Sequence, residues 1–483
     1  MLARYETQER GTLRGCEERD PGVNRMAGRQ FLDLVEAARE AGSKMPGDVR
    51  DLMVTRIYEV AGAICQSTVR RATPPTRDWD TRLDDILTSR LLGYPIMLAL
   101  LGVVFWITLV GANVPSRLLG AALFWGQDRL LDLFSWADAP AWLTGVVVMG
   151  AYRALAWVVS VMLPPMAIFF PCFALLEDLG YLPRVAFNLD AFFKRAGTHG
   201  KQALTMCMGF GCNAAGVVSC RIIDSPRERL IAILTNNFVP CNGRFPTLIA
   251  MAAMFFGAGL QSAAALSLLG TVLLGIAVTL GVSWVLSRSL LRGIPSFFVL
   301  ELPPYRKPQV IRVIVRSFLD RALFVLVRAA TVAVPAGALT WILGNSMVRG
   351  ASLLAHVAGF LEPFGRLIGL DGHVLTAFLL GLPANEIVIP ILVMEYSGAG
   401  AMVDLGGLDA LRELLVSNGW TPLTAVCLIL FSLLHYPCAT ALWTIWHETR
   451  SAKWTAVAAL LPLAVACVAC FLAASAGRFL GAG

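Results

Sequence analysis

The chain divides into a polar first part and a long apolar remainder. Charged residues are concentrated in residues 1–90 and in a few later loops, whereas apolar runs follow one another from Leu91 onward. At about 1.5 Å per residue, a helical run of roughly 20 apolar residues crosses a bilayer core of about 30 Å. The pattern predicts an all-α polytopic membrane protein with about 8–10 hydrophobic segments.

Two of the predicted apolar segments are interrupted by glycine or proline. The segments are 93–113, 141–175, 203–222 (broken), 229–257 (broken), 263–291, 322–345, 373–396, 421–447 and 452–477. Two amphipathic pieces, 117–135 and 352–368, are expected to lie along the membrane interface.

Basic loops suggest the topology. The loops 184–201 and 292–321 are both rich in Lys and Arg, so both are predicted to be cytoplasmic. An even number of crossings must then separate them, which two full crossings plus a re-entrant segment 203–222 provide. Arg450 and Lys453 conflict with a simple alternation, so the later topology stays open.

Residues 1–90 are predicted to form a cytoplasmic, partly helical connector segment. Apolar residues recur at helical spacing, first in 31–38 and then at Leu52, Met53, Ile57, Val60 and Ile64. A third short helix, 81–90, leads into the membrane and carries arginines that place this side in the cytoplasm. No cleavable signal peptide is visible, because the polar N-terminus precedes the first apolar run.

Composition agrees with the membrane class and excludes others. The chain is 57% hydrophobic and 15% charged, and its mean hydropathy is +0.66. Its net charge of +7 lies largely in membrane-flanking loops, so it indicates topology and not nucleic-acid binding. Most of the eleven cysteines lie in apolar runs, where a free thiol acts as a small hydrophobe, and they do not form a disulfide framework.

The most informative stretch is Gly209–Asn213, followed by a second break within 236–246. Glycines loosen a helix and prolines break it, so both stretches free backbone carbonyls inside apolar surroundings. They also carry Cys212, Cys241 and Asn242. Such a segment must line a buried or water-filled cavity, and thiols with amides and carbonyls can ligate a transition-metal cation. A kinked packing helix with a satisfied polar cluster is the alternative.

The same kind of break occurs a second time, at 381–390 and at 435–440, and this is an internal repeat. Paired interrupted helices in corresponding positions point to a binding site near the middle of the membrane. Glu386 adds a carboxylate inside an apolar run, which is costly and is by default functional. A structural role, in which Arg244 or the neighbouring backbone holds Glu386, is the alternative.

Other motifs fit known chemistries less well. Cys467 and Cys470 have C-x-x-C spacing but lie in an apolar final helix, where packing is the better interpretation. His447-Glu448 lacks the second histidine of a metalloprotease motif. The loop 197–202 lacks the spacing and hydroxyl of a phosphate-binding loop. Met206 and Met208 could be soft ligands at a pore mouth, although such methionines more often fill a core.

Six short motifs follow one another along the chain: Gly209–Asn213, Pro240–Pro246, Glu301–Arg306, Ala384–Val388, Trp420–Thr424 and Tyr436–Cys438. Together, and in this order, they resemble the membrane part of the ferrous iron transport protein B family (FeoB). The resemblance covers about residues 52–480. It implies a transmembrane permease domain over 91–483, with gate repeat one at about 141–291 and gate repeat two at about 322–480.

The resemblance implies transport of ferrous iron (Fe²⁺) into the cytoplasm across a prokaryotic inner membrane. It gives Cys241 and Cys438 a role in the iron path, with Cys212 and Glu386 nearby. Two features depart from the family. In many relatives the motif at 384–386 resembles Ala-Lys-Glu, whereas this chain has Asn385 at the middle position. The family's N-terminal GTP-binding domain is missing. Residues 56–59 and 82–87 resemble the connector that follows that domain.

The chain is therefore expected to be a transporter and not an enzyme, either the membrane half of a split transporter or a relative without a nucleotide switch. Fe²⁺ is its substrate, with no permanently bound cofactor. Partners would be a separate GTP-binding protein, a small accessory protein and a second copy of the chain. The predicted metal-path residues are Cys212, Asn213, Cys241, Asn242, Asn385, Glu386 and Cys438. An organic-solute carrier, for example of a nucleoside, and a non-transporting membrane partner are the alternatives.

Overall fold

The computed structural model describes residues 49–68, 79–89, 91–198, 200–256, 261–292, 305, 308–403, 407–479 and 481. It divides into two units, 1–78 and 79–483. The first unit is described only as helix α1 (Val49–Thr68), which confirms the helix predicted from the spacing of Met53, Ile57, Val60 and Ile64. The predicted helix at 31–38 and the 301–306 motif, apart from Tyr305, lie outside the described residues.

The second unit is almost entirely helical. In chain order its helices are α2 (Trp79–Leu87), α3 (Gly93–Trp136), α4 (Ala141–Asp178), α5 (Tyr181–Arg195), α6 (Lys201–Gly211), α7 (Asn213–Ser219), α8 (Pro226–Thr235), α9 (Phe245–Phe256), α10 (Gln261–Arg288), α11 (Val310–Asn345), α12 (Leu353–Leu367), α13 (Gly372–Leu380), α14 (Val388–Ser397), α15 (Leu408–Ser417), α16 (Pro422–Leu434), α17 (Ala439–Thr449) and α18 (Ala452–Phe479). Two short antiparallel strands, β1 (Met347–Val348) and β2 (Ala351–Ser352), precede α12.

Six helical stretches in the described part of the chain are long and apolar enough to cross a membrane: α3, α4, α10, α11, α16 with α17, and α18. A seventh results if α12 and α13, which are bent by 113° relative to each other, form one broken span. The prediction of an all-α polytopic fold is confirmed. The remaining predicted segments are short because glycine and proline divide them into half-helices.

Helix α3 corrects one boundary. The pieces 93–113 and 117–135, predicted as a span and a separate interfacial helix, form one continuous helix of 44 residues with Pro115 inside it. The second piece packs along α4, where the Tyr152 hydroxyl donates to the Leu123 carbonyl at 2.9 Å. Gly120 and Gly126 lie against Ser160 and the Tyr152 hydroxyl. An amphipathic pattern marks a partly buried face, and here a neighbouring helix covers that face.

Helices α6 and α7 form the first hairpin. Lys201, which begins α6, forms an ion pair of 2.7 Å with Asp224, which lies just beyond α7. Both ends of the hairpin therefore lie together, as the re-entrant segment predicted at 203–222 requires. Cys212 lies at its tip.

Helices α13 and α14 form the second hairpin. Asp371, the N-cap of α13, accepts a hydrogen bond from the Tyr396 hydroxyl near the end of α14. Close by, His373 Nδ1 lies 2.9 Å from Glu395 Oε2. The predicted single segment 373–396 is therefore a helix pair whose two ends lie together, with Asn385 near its tip.

The two hairpins enter from opposite sides. The broken span of α16 and α17 begins beside the second hairpin, where the Trp420 indole donates to the Tyr396 hydroxyl at 2.8 Å. It ends beside the first hairpin, where Glu448 accepts from Arg221 at 2.6 Å. We call the side of Lys201 and Glu448 the first side, and the side of Tyr396 and Trp420 the opposite side. Two repeats of opposite orientation are a common architecture of secondary transporters.

This arrangement resolves the conflict over Arg450 and Lys453. Because 373–396 returns to the side from which it entered, α11 crosses once before it and α16 with α17 crosses back after it. Arg450 and Lys453 follow Glu448 and therefore lie on the first side. That is also the side of the basic loop 184–201, as Lys201 shows.

Each hairpin is held by its own apolar cluster. The cluster around the first contains Phe169, Phe170, Phe173 and Phe210, and the cluster around the second contains Phe378, Val388, Ile391 and Phe431. These clusters bury the apolar sides of the half-helices, which are too short to be stable alone. The polar tips of the hairpins are thereby held at fixed positions.

Helix α2 is part of the second unit, which begins at Trp79 and not at Leu91. Arg184 is buried on α5 and binds Asp84 of α2 through two nitrogens, at 3.0 and 3.3 Å. Tyr305 donates to the same carboxylate at 2.7 Å, and its ring lies 4.2 Å from the guanidinium carbon. Burial would raise the pKa of Asp84, but the hydrogen bonds from Arg184 and Tyr305, together with the Arg184 charge, hold it below its usual value of 3.8. The pair is therefore formed at neutral pH and weakens as acid protonates Asp84.

We expect Arg184→Ala to destabilise the protein by about 1–3 kcal/mol, because it leaves Asp84 with only the Tyr305 hydroxyl and the Gly180 carbonyl without its side-chain donor. Thermal unfolding of the detergent-purified chain measures the effect. Arg129→Ala is the matched control, since the pair of Arg129 with Asp132 is exposed and should contribute less than about 1 kcal/mol. Equal unfolding temperatures for the two variants would contradict the assigned role of Arg184.

Candidate metal path

The first hairpin is broken at Cys212, whose extended backbone (φ −156°, ψ 128°) separates α6 from α7. The glycines that precede it provide space. A Cβ at Gly209 would lie 2.8 Å from Asn236 Oδ1, and one at Gly211 would lie 2.4 Å from the Phe169 ring. A larger residue at either position would therefore force Asn236 or Phe169 to shift, so glycine suits the close packing around the tip.

The second hairpin repeats this geometry. Ala384 has nearly the same extended backbone (φ −155°, ψ 123°), and like Cys212 it is followed by an asparagine that begins a helical turn. The repeat aligns Cys212-Asn213 with Ala384-Asn385. One thiol is thus replaced by a methyl group, and Glu386 follows in the next position.

The proline-cysteine breaks are bonded to the hairpin tips in both repeats. The amide of Asn242, next to Cys241, donates to the Gly211 carbonyl at 3.4 Å. The amide of Ala439, next to Cys438, donates to the Leu382 carbonyl at 2.7 Å. Equivalent main-chain hydrogen bonds therefore bring one cysteine from each repeat to the centre.

All seven residues predicted from the sequence line one central cavity of about 30 Å³. They are Cys212, Asn213, Cys241, Asn242, Asn385, Glu386 and Cys438. The volume is enough for one or two water molecules or an ion that has lost part of its water shell. The breaks of both repeats thus converge on one polar cavity.

Glu386 lies in this cavity without a cation. It is 9% exposed, and no described Lys, Arg or His forms an ion pair with it. Gly243 allows its approach, because a Cβ at Gly243 would lie 2.3 Å from Glu386 Oε1. A carboxylate buried in this way needs compensation, and a cation in the cavity would provide it.

Arg244, considered above as a partner of Glu386, binds backbone and amide oxygens. Its guanidinium donates to the carbonyls of Asn237 and Leu433 at 2.8 and 2.7 Å, and to Asn237 Oδ1 at 3.0 Å. It also donates to the carbonyls of His435 and Tyr436, each at 3.2 Å. Arg244 therefore donates to carbonyls at the breaks of both repeats. These contacts do not support the hypothesis that Arg244 holds Glu386.

Sequence reasoning missed several groups that line the cavity or contact its lining residues. His435 is buried, and its Nε2 lies 3.3 Å from Asn385 Oδ1. Thr440 lines the cavity, and its buried hydroxyl has no hydrogen-bond partner among the described residues. Met162 and Met166 of α4 line it as well. His435 and Thr440 flank the Pro-Cys motif, which was the available signal, whereas nothing in the local sequence marks the two methionines.

The ligands do not form a closed centre. Among the described residues, no group of three or more His, Cys, Asp or Glu side chains is arranged to hold a metal ion. A closed tetrahedral thiolate site binds tightly, whereas a path must release its ion. The cavity instead offers ligands from several elements, few of which can be engaged together.

Two other pairs considered in the sequence, Cys467 with Cys470 and Met206 with Met208, do not line the central cavity. Cys470 is buried on α18, where its thiol donates to the Cys427 carbonyl at 3.3 Å, in agreement with a packing role. Met206 is buried in the apolar cluster of the first hairpin. Met208 belongs to that cluster too, but it also lines a second cavity described below.

Comparison with known proteins places this geometry in a family. A family described as "Gate: Nucleoside recognition" matches residues 159–256 and 326–452, the two repeats. A second, described as "Ferrous iron transport protein B C terminus", matches residues 268–320 between them. The Fe(2+) transporter FeoB of Synechocystis is 30% identical over 419 residues, which are 86% of this chain and 66% of that protein. The chain belongs to the ferrous iron transport protein B family.

Other members of the family match over a similar extent. FeoB of Staphylococcus aureus (strain MSSA476) is 29% identical over 82% of this chain and 58% of its own length. A Porphyromonas gingivalis protein named as a fusion of Fe(2+) transport protein A and FeoB is 26% identical over 94% of this chain and 59% of its own length. The chain thus spans about three-fifths of the curated relatives that it matches, and it corresponds to their membrane part. No solved structure matches it.

Proposed function

We propose that the chain transports ferrous iron across the membrane through the central cavity. The observation that carries the proposal is the buried carboxylate of Glu386, which has no cationic partner among the described residues and shares a cavity with Cys212, Cys241 and Cys438. The relatives named as Fe(2+) transporters support this choice of cargo.

In this mechanism the thiols are the soft ligands, and Asn213, Asn242, Asn385 and Glu386 supply oxygen. Sulfur ligands favour transition metals over Mg²⁺ and Ca²⁺, and the carboxylate offsets part of the ion's charge. The ligands replace only part of the water shell, so that the ion can leave.

The size of the cavity argues against an organic cargo. Ligand pockets for organic molecules have volumes of about 300–1,000 Å³, whereas the central cavity has about 30 Å³. A nucleoside would require a much larger rearrangement of the two hairpins than a metal ion would. A non-transporting role would not explain why the breaks of both repeats converge on one polar cavity.

The membrane potential can drive the transport. An ion of charge +2 that moves through about 100 mV gains roughly 4.6 kcal/mol, which sustains an accumulation of about a thousandfold. We propose an inner-membrane location with a cytoplasmic N-terminus, so that the first side faces the cytoplasm. Control by GTP would come from a separate GTP-binding protein, and the fusion relative supports a small accessory partner.

The experiment is uptake by the purified chain in liposomes. We expect Fe²⁺, kept reduced, to enter and quench an internal iron-sensitive dye, and we expect an inside-negative potential to accelerate the entry. Protein-free liposomes and a dissipated potential are the controls. Entry no faster than in protein-free liposomes would overturn the proposal, and saturable uptake of a radiolabelled nucleoside would favour the organic-solute carrier.

A further inference from the structure

A second cavity of about 540 Å³, here called the vestibule, lies on the first side. It is lined by α6, α7, α11 and α17, among them Met208, Ala214, Val325, Arg328 and Thr444. Val325 also lines the central cavity. Ala214 directly follows Asn213, so the vestibule adjoins the central cavity along two helices.

Two threonines on α17 connect the cavities. Thr440 lines the central cavity and Thr444 lines the vestibule. They are four residues apart, about 6 Å along the helix axis. The Thr444 hydroxyl donates to the Thr440 carbonyl at 2.8 Å, and the Thr440 hydroxyl is unpartnered among the described residues.

Arg328 lies at this boundary. Its Nη1 donates to the Thr444 hydroxyl at 3.2 Å, and its guanidinium carbon lies 4.3 Å from the centre of the Phe324 ring. Arg328 is half-buried in the middle of α11, one of the six spans. An ionisable residue within a membrane span is costly and by default functional.

The other charges of the vestibule have partners of opposite sign. Arg321 pairs with Glu177 at 3.1 Å, Lys201 with Asp224 at 2.7 Å, and Asp320 with Arg316 at 3.3 Å. Arg328 has no carboxylate partner among the residues that the structure describes. It therefore places an uncompensated positive charge between the two cavities.

We propose that Arg328 closes the ion path on the first side. Its positively charged guanidinium repels a cation that leaves the central cavity. The hydrogen bond to Thr444 and the contact with Phe324 hold it in the closed position. The ion leaves when the guanidinium moves away from Thr444. This inference deepens the proposed function and rests on it for the identity of the cargo.

Liposome uptake tests the closure. We expect Arg328→Gln to raise the initial rate of Fe²⁺ entry by about tenfold, because the fixed charge is removed. Arg328→Lys keeps the charge and should stay near wild type. Thr444→Val removes the acceptor with little change in shape and should raise the rate by a smaller factor. Arg312→Gln is the control, since Arg312 is exposed on the same helix, donates to Gln309 and does not line the vestibule.

A second measurement does not depend on the cargo. A small cationic thiol reagent applied from the first side should modify Cys438 faster in Arg328→Gln than in wild type, as measured by peptide mass spectrometry. Faster modification without any Fe²⁺ uptake would support the closure and overturn the proposed cargo. Unchanged modification, or uptake rates within twofold of wild type in both Arg328→Gln and Thr444→Val, would overturn the role of Arg328.

Discussion

Replacing Cys241 and Cys438 together by serine should reduce Fe²⁺ uptake at least about tenfold, the scale on which changes around a metal site act. One cysteine comes from each repeat, and both line the central cavity. Serine keeps the size of the side chain but offers a harder and weaker ligand than sulfur. Uptake into liposomes, with protein amount and particle size matched, measures the effect.

Cys220→Ser is the matched control for this pair. Cys220 is fully buried near the end of the same hairpin as Cys212, but its thiol donates to the Gly216 carbonyl at 3.3 Å and it does not line the cavity. We expect normal uptake for this variant. Wild-type uptake by the Cys241→Ser, Cys438→Ser double variant would show that the thiols are not ligands.

Glu386→Gln should abolish measurable uptake while the protein is expressed and folds normally. The change keeps the shape of the side chain and removes the one charge in the cavity that a cation can neutralise. Because no described cation pairs with Glu386, its neutralisation leaves no partner unpaired. We expect thermal stability in the absence of metal to be equal to or higher than that of wild type.

Two further variants make this result specific. Glu386→Asp keeps the charge and should retain part of the uptake. Glu395→Gln changes a buried carboxylate outside the cavity that is held by His373, so its effect should fall on thermal stability. If Glu386→Gln lowered stability and left uptake per folded molecule unchanged, the carboxylate would be structural.

The candidate site could be predicted from local sequence because its chemistry is costly in a membrane. Glycine and proline breaks that carry cysteine, asparagine and glutamate inside apolar runs expose polar groups to apolar surroundings, and this combination occurs twice. Glu386 and Cys241 could therefore be selected from the sequence. Their convergence on one cavity depends on how the two repeats pair, and the lining residues Met162 and Met166 have no local signal.

The role of Arg244 could not be predicted in the same way. A buried arginine near a buried glutamate in the sequence pattern suggests an ion pair. The fold instead places the guanidinium against carbonyls of Leu433, His435 and Tyr436, almost 200 residues later in the chain. Which unsatisfied acceptor a buried donor reaches is decided by tertiary packing, because many exposed carbonyls compete for it.

The sequence by itself determined the membrane class, the helices and the positions of the breaks, since these follow from hydropathy and from the local properties of glycine and proline. Tertiary structure decided that 117–135 continues α3 and that 373–396 returns to the side it entered. A hydropathy pattern records only that a face is buried. The direction in which the chain continues after a break is set by the contacts at the two ends of the broken segment. The ion pairs Lys201–Asp224 and Arg221–Glu448 are such contacts, and they join residues that the sequence separates.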